Sequence, residues 1–205
     1  MPHDRPSDPP YEVRPVTRDR WDELAAFFGP SGAYSGCWCT WWRQPGSAFD
    51  AGCRDGGTGN RALLERLTLD GAVPGLLAYD GDRPVGWVTV SPRPQFGRIL
   101  RSRQLRPGPD DAGGDPADDA VWAVPCFWVP RAQRRRGVAT ALLAAAVGHA
   151  RAGGARTVEG YPVDTRERRP DDGVFTGTVP LFERAGFTVV RRPASGSRVV
   201  MATGW

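Results

Sequence analysis

Between Tyr11 and Val16 tyrosine and valine alternate with charged or polar neighbours, a period of two that predicts a strand. Thr17 follows as an N-cap, and Trp21, Leu24, Ala25 and Phe28 recur on one helical face until Gly29-Pro30 ends it. Gly59 to Leu69 predicts a short second helix with Leu63, Leu64 and Leu67 as its apolar stripe. Val73 to Tyr79 and Val85 to Val90 read as strands, joined through Asp80-Gly81-Asp82-Arg83-Pro84, whose Asp-Gly pair favours a tight hairpin. Val138 to Val147 is apolar nearly all the way round, which predicts a helix packed between the sheet and other elements. Thr157 to Val163 is a further strand, with Gly160 and Pro162 disturbing its ladder, and Phe187 to Val190 pairs with a last strand at Val199 to Ala202.

One stretch joins this pattern to chemistry. The apolar run from Val121 ends at Pro130, four arginines fall within residues 131–136, and Gly137-Val138-Ala139 opens the alanine-rich helix. A strand, a glycine turn and a helix start in that order aim unsatisfied N–H groups and the positive end of a helix dipole at one spot. Gly137 has no Cβ, so the backbone there can approach a pyrophosphate, and Ala139 keeps the next position small. Arg134, Arg135 and Arg136 add charge-assisted donors. Taken alone, the same residues also describe a solvated surface turn.

Arg134 to Ala139 fits Arg/Gln-x-x-Gly-x-Gly/Ala and resembles the acyl-CoA pyrophosphate loop of the GNAT-type N-acetyltransferase superfamily. Arg156 to Asp164 resembles the fifth strand of that family, and Val179 to Phe187, VPLFERAGF, its late helix and turn. The resemblance runs over residues 73–203 and more loosely over the front of the chain. It implies an α/β fold with a mixed, mostly antiparallel central sheet of about six or seven strands flanked by helices and splayed between the fourth and fifth strands. It also implies acetyl-CoA as co-substrate, with Arg134, Arg135, Arg136, Gly137, Val138, Ala139 and Thr140 at the pyrophosphate and the backbone of Phe127, Trp128 and Val129 along pantetheine.

Two segments stand outside the compact family pattern. Ser31 to Gly46 holds Trp38, Trp41 and Trp42; clustered rings either close a core or line a pocket, and composition is the same for both. In the family this region lines the acceptor site, which makes the three rings wall candidates and Arg43 a partner for an acidic acceptor. Residues 91–119 form an insertion. Its first half is basic around Phe96, Ile99 and Leu100 and predicts a short amphipathic helix that acts as a lid; its second half, PDDAGGDPADD, predicts a mobile loop.

Length and composition set the frame. The chain has 205 residues with 40% hydrophobic content, suited to one domain over 11–205 behind a disordered tail at 1–10. Net charge is +4, but all 27 basic residues are arginine, a coding bias that makes them weak support for nucleic-acid binding. No apolar run is long enough for a membrane helix, and the expected compartment is the cytoplasm. Cys37, Cys39, Cys53 and Cys126 are too scattered for a disulfide framework. A thiolate metal site at Cys37, Cys39 and Cys53 lacks a second ligand pair, so no metal is expected.

The implied reaction is direct attack of a small-molecule amine on the thioester. Here the chain departs from the family: VWAVPCFWV offers no carboxylate as base, and Phe182 stands where a tyrosine often serves as acid. Glu159 and Tyr161 share one strand face and are the substitute candidates, Glu159 to take the amine proton and Tyr161 to protonate the thiolate; a solvated strand residue and a packed aromatic are the plain alternative. Cys126 in an apolar run reads as buried filler. His149 reads as a helix-end residue. A catalytically degenerate acyl-CoA-binding domain and a nucleic-acid-binding protein remain open as functions, and a homodimer as the assembly.

Overall fold

A computed structural model describes residues 11–108, 114–164 and 174–205. Its sheet has the order β1-β2-β3-β4-β5-β7-β6, formed by Glu12–Pro15 (β1), Gly75–Asp80 (β2), Arg83–Pro92 (β3), Val121–Trp128 (β4), Thr157–Gly160 (β5), Thr188–Arg191 (β6) and Val200–Gly204 (β7). Every neighbouring pair is antiparallel except β4 and β5. The helices are Trp21–Phe28 (α1), Gly46–Gly52 (α2), Thr58–Leu69 (α3), Gly97–Arg101 (α4), Val138–Ala152 (α5) and Val179–Arg184 (α6). No helix among the described residues is long and apolar enough to cross a membrane.

Strand periodicity divides the core into two layers. Leu76, Ala78, Val88, Val90, Val124, Phe127 and Val158 face α5 and α6, while Leu77, Tyr79, Trp87, Ala123, Cys126 and Tyr161 face α1, the tryptophan segment and α4. Helix α5 seats directly on β3 at Gly86, where an added Cβ would lie 2.5 Å from Val138 Cγ1. It buries Val138, Leu142, Leu143, Ala146 and Ala150, but leaves Thr140, Ala144 and Gly148 exposed. The all-round apolar pattern therefore overstated burial, because alanine is also the best helix former on an open face.

On the second layer the tryptophan segment is packed into place. Trp38 lies 6.1 Å from Trp21 and 5.5 Å from Phe28 between ring centroids, and is 1% exposed. Buried Asn60 of α3 donates to the Gly36 carbonyl and accepts from Gln44 Nε2, so one side chain holds both ends of the segment. Gly36 and Gly57 touch backbone to backbone; a Cβ on Gly57 would lie 2.4 Å from Gly36 Cα. Helix α2 was not legible in the sequence. Thr17 makes no side-chain cap and instead donates to Asp19, preceding a short 3-10 turn that leads into α1.

The opening between β4 and β5 has a local cause. From Thr89↔Cys126 to Ser91↔Ala123, β3 advances two residues and β4 three, so β4 carries one extra residue around Val124-Pro125. Pro125 has no N–H to give to a ladder. Parallel pairing with β5 ends at Val124↔Gly160, the same point. On the other strand Gly160 admits Phe182, whose Cε1 would lie 2.0 Å from an added Cβ. Just beyond it β5 ends, and Val163 makes single bridges to Thr178 and Arg198. Gly160→Ala should cost about 1–3 kcal/mol through overpacking against Phe182, read as a lower midpoint in urea unfolding. An unchanged midpoint would show that Phe182 yields freely.

Candidate active site

Residues 134–137 form an exposed loop ahead of α5. Arg135 and Gly137 both take positive φ, 62° and 87°. The first intrahelical bond runs from Ala141 N–H to the Gly137 carbonyl, and no described side chain caps the helix. The N–H groups of Val138, Ala139 and Thr140 thus sit at the positive end of a fifteen-residue helix. A Cβ on Gly137 would meet nothing within 4 Å, so space lies in front of the backbone. Arg134 Nε donates to the Val129 carbonyl at 3.1 Å and Arg136 Nη1 to Gln133 at 3.1 Å, which ties the loop to the end of β4. Tyr11 donates its hydroxyl to the Arg136 carbonyl from β1's side. These features fit a diphosphate. Exposure, uncapped donors and an open glycine face are what such a group requires.

The β4 edge fits pantetheine only in part. Phe127 N–H already donates to the Phe175 carbonyl at 2.7 Å, and Val163 N–H to the Gly177 carbonyl at 3.0 Å, so residues 175–177 lie beside β4 where the cleft narrows. The expected use of Phe127 therefore needs correction: a pseudo-strand can run beside Val129 and Trp128, but takes the Phe127 donor only by displacing Phe175. Trp128 also packs edge-on to Phe27 at 4.5 Å, and Phe127 turns its ring to Phe182 at 6.1 Å.

Glu159 and Tyr161 come together, but not as open groups. Tyr161 donates its hydroxyl to Glu159 Oε2 at 2.6 Å, while Arg93 Nη1 meets Glu159 Oε1 at 2.7 Å and its Nη2 reaches the Asp115 carbonyl at 2.6 Å. Arg93 and Tyr161 are fully buried and Glu159 is 5% exposed, so the solvated-carboxylate alternative is excluded. Burial, reinforced by the Glu159 charge, pushes the Tyr161 hydroxyl well above its ordinary range. Arg93 was not singled out in the sequence; a buried arginine after a strand leaves no local pattern.

The three tryptophans separate. Trp38 belongs to the core and not to a pocket wall, since α1 already surrounds it. Trp41 and Trp42 do line a pocket of about 440 Å³, together with Arg98, Arg101, Ser102 and Arg198. Trp42 stacks 6.3 Å from Tyr161 and lies 6.4 Å from Phe175, which places this pocket beside the narrowed cleft. Arg43 is not in it. Its guanidinium lies over Phe96 and bonds Gln95, Ser91 and the Pro74 carbonyl, and burial pulls its pKa down to about 10. Arg43 ties the insertion to β3, so it cannot meet an acceptor. The first half of the insertion supplies Arg98, Arg101, Ser102, Gln104 and Leu105 to the pocket; part of its second half, residues 109–113, lies outside the described residues.

The cysteines gather without bonding covalently. All four are free, and Cys126 Sγ lies 3.6 Å from Cys39 Sγ. Hydrogen bonding from Cys39 lowers the half-buried Cys37 thiol to about 7, whereas bonds with Cys126 and Cys37 together with burial raise Cys39. Cys126 is buried on the sheet face under the tryptophan segment. His149 sits in the last turn of α5 against Trp122 at 5.7 Å, and burial lowers its pKa.

Known proteins share this fold. The acetyltransferase (GNAT) family profile matches residues 33–169. The fold is similar to PaiA N-acetyltransferase from Thermoplasma acidophilum, solved with coenzyme A, at 13% identity and TM-score 0.51, covering 95% of this chain and 99% of that one. It is likewise similar to the GNAT domain of S. lividans PAT, at 22% identity and TM-score 0.51, covering 94% and 89%. A search of curated proteins finds no significant match. Matched over most of its length, with a sheet parallel only at β4 and β5 and an open glycine loop before α5, the chain belongs to the GNAT family of acetyltransferases, whose co-substrate is acetyl-CoA.

Proposed function

We propose that the protein transfers an acetyl group from acetyl-CoA to the amine of a small molecule. The observation that carries this reading is the exposed Arg134 to Gly137 loop, with uncapped N–H groups at the head of α5, lying at the end of the splayed β4 edge. The diphosphate docks there, on the N–H groups of Val138, Ala139 and Thr140 and beside Arg134, Arg135 and Arg136, and pantetheine follows Val129 and Trp128 inward. The reading places the reaction in the cytoplasm.

In the transfer itself the amine nitrogen forms a bond to the thioester carbonyl carbon and the carbon–sulfur bond breaks. Glu159 accepts the proton that the amine loses, directly or through water, and Tyr161 gives its hydroxyl proton to the departing sulfur. The 2.6 Å bond between them supports a return path, from Glu159 back to the Tyr161 oxygen, that leaves both groups as they began. Arg93 fixes Glu159 from the other side. Trp42 stacks on Tyr161 and Phe175 lies against Trp42, so binding must move Trp42 before the hydroxyl meets sulfur.

A second reading, acyl-CoA binding without transfer, is favoured by that same closure: the Phe127 donor is engaged and Glu159 is ion-paired. Catalysis separates the two. Tyr161→Phe should lower kcat by about 100-fold or more, with KM for acetyl-CoA held within about twofold. Glu159→Gln should do the same and also destabilise the fold by about 3 kcal/mol, because the buried ion pair between Glu159 and Arg93 is broken. If both variants keep wild-type kcat/KM with an identified amine across pH, the proton path is wrong; if the wild-type protein binds acetyl-CoA but releases thiol with no amine, the binding reading stands.

Docking is tested apart from chemistry. Gly137→Trp should weaken acetyl-CoA binding by about tenfold or more in calorimetry, since its ring fills the open face and any side chain is strained at φ 87°. Unchanged affinity would remove the loop from the cofactor site.

A further inference from the structure

Three cationic side chains, Arg98, Arg101 and Arg198, line the pocket beside Trp42, and no acidic side chain among the described residues lines it with them. Arg98 is held rigidly. Its guanidinium carbon lies over Trp41 at 3.5 Å from the ring centroid, and its Nε donates to the Trp41 carbonyl at 2.7 Å. Its Nη2 is buried and has no hydrogen-bond partner. Burial lowers its pKa and the nearby charge of Arg101 lowers it further, against an opposing pull from Asp50. Two like charges thus line one pocket together with Trp41, Trp42 and Leu105. An anchored guanidinium with one buried, unused N–H group is costly unless something accepts from it.

On the acceptor reading given above, we propose that this pocket recognises a carboxylate on the acceptor, bound by Arg98 and Arg101, so that the amine is one end of an amino-carboxylate. A volume of about 440 Å³ exceeds what a carboxylate needs, and leaves room for an apolar or aromatic body along Trp42. Trp42 also stacks on Tyr161, so a molecule anchored at the arginines presents its far end toward the cleft. The planar guanidinium of Arg98, already oriented by Trp41, suits two-point binding of a planar carboxylate.

The test uses the full chain without coenzyme A and two matched probes, N-acetylphenylalanine and its uncharged primary amide, titrated by calorimetry. The acid should bind about tenfold or more tightly than the amide. Arg101 makes no ion pair with a described residue, so Arg101→Gln should leave the melting temperature unchanged while reducing that preference to about twofold or less; Arg101→Glu should abolish binding of the acid. Affinity for coenzyme A should stay the same in both variants. Equal binding of acid and amide, no binding of the acid, a preference that survives Arg101→Gln, or a loss of coenzyme A affinity would each overturn the proposal. The two readings fail separately. Discrimination without turnover of any amine sinks the transferase and leaves the carboxylate site, whereas acetyl transfer to tryptophan and tryptamine with equal kcat/KM sinks the carboxylate site and leaves the transferase.

Discussion

The structure depends on one failure of strand pairing. The extra residue in β4 falls at a proline that cannot donate, and on the facing strand Gly160 is kept free of a side chain by Phe182. Either feature alone weakens a ladder. Together they end the parallel pair after four residue pairs and turn the rest of β4 into an edge inside the molecule. A buried edge must satisfy its donors, and here the chain itself does so through Phe175 at Phe127. The cleft is therefore both made and narrowed by local backbone chemistry.

Division of the core by the sheet then assigns the work of each layer. One face receives α5, whose close seat at Gly86 fixes where the helix begins and so where its N–H groups point. The other face receives the tryptophan segment and the insertion, held by Asn60, Arg43 and Arg93. The glycine loop ahead of α5 and the pocket at Trp41 and Trp42 consequently approach the β4–β5 opening from opposite layers. Trp42 and Tyr161 meet there.

Arg93, Glu159 and Tyr161 illustrate why a buried charge is not evidence of a free base. A carboxylate inside a protein is tolerated only when its oxygens are occupied, and both are. That pairing fixes the insertion against β5 whatever else it does. A proton path through the same bond is compatible with the constraint, because the Tyr161 hydroxyl already donates to the carboxylate at 2.6 Å.

The sequence by itself determined the strands, most of the helices, the glycine loop and the absence of the usual acid and base, because these follow from period, turn chemistry and residue type within a few positions. Its reach was shorter where partners are distant. Nothing near Trp38 in the chain distinguishes it from Trp41, yet α1 encloses one ring and the pocket exposes the other. Arg43 reads like Arg98, but one is spent on β3 and the insertion while the other lies on Trp41 at the rim; the basic residues flanking Ile99 were the only local sign of the second. Phe175 left no sign, since its role is a backbone carbonyl placed by a fold. Only tertiary structure decided these, because burial and hydrogen-bond partners are set by other segments of the chain, by α1 for Trp38 and by residues 52 and 57 positions away between Arg43 and Gln95 or Trp41 and Arg98.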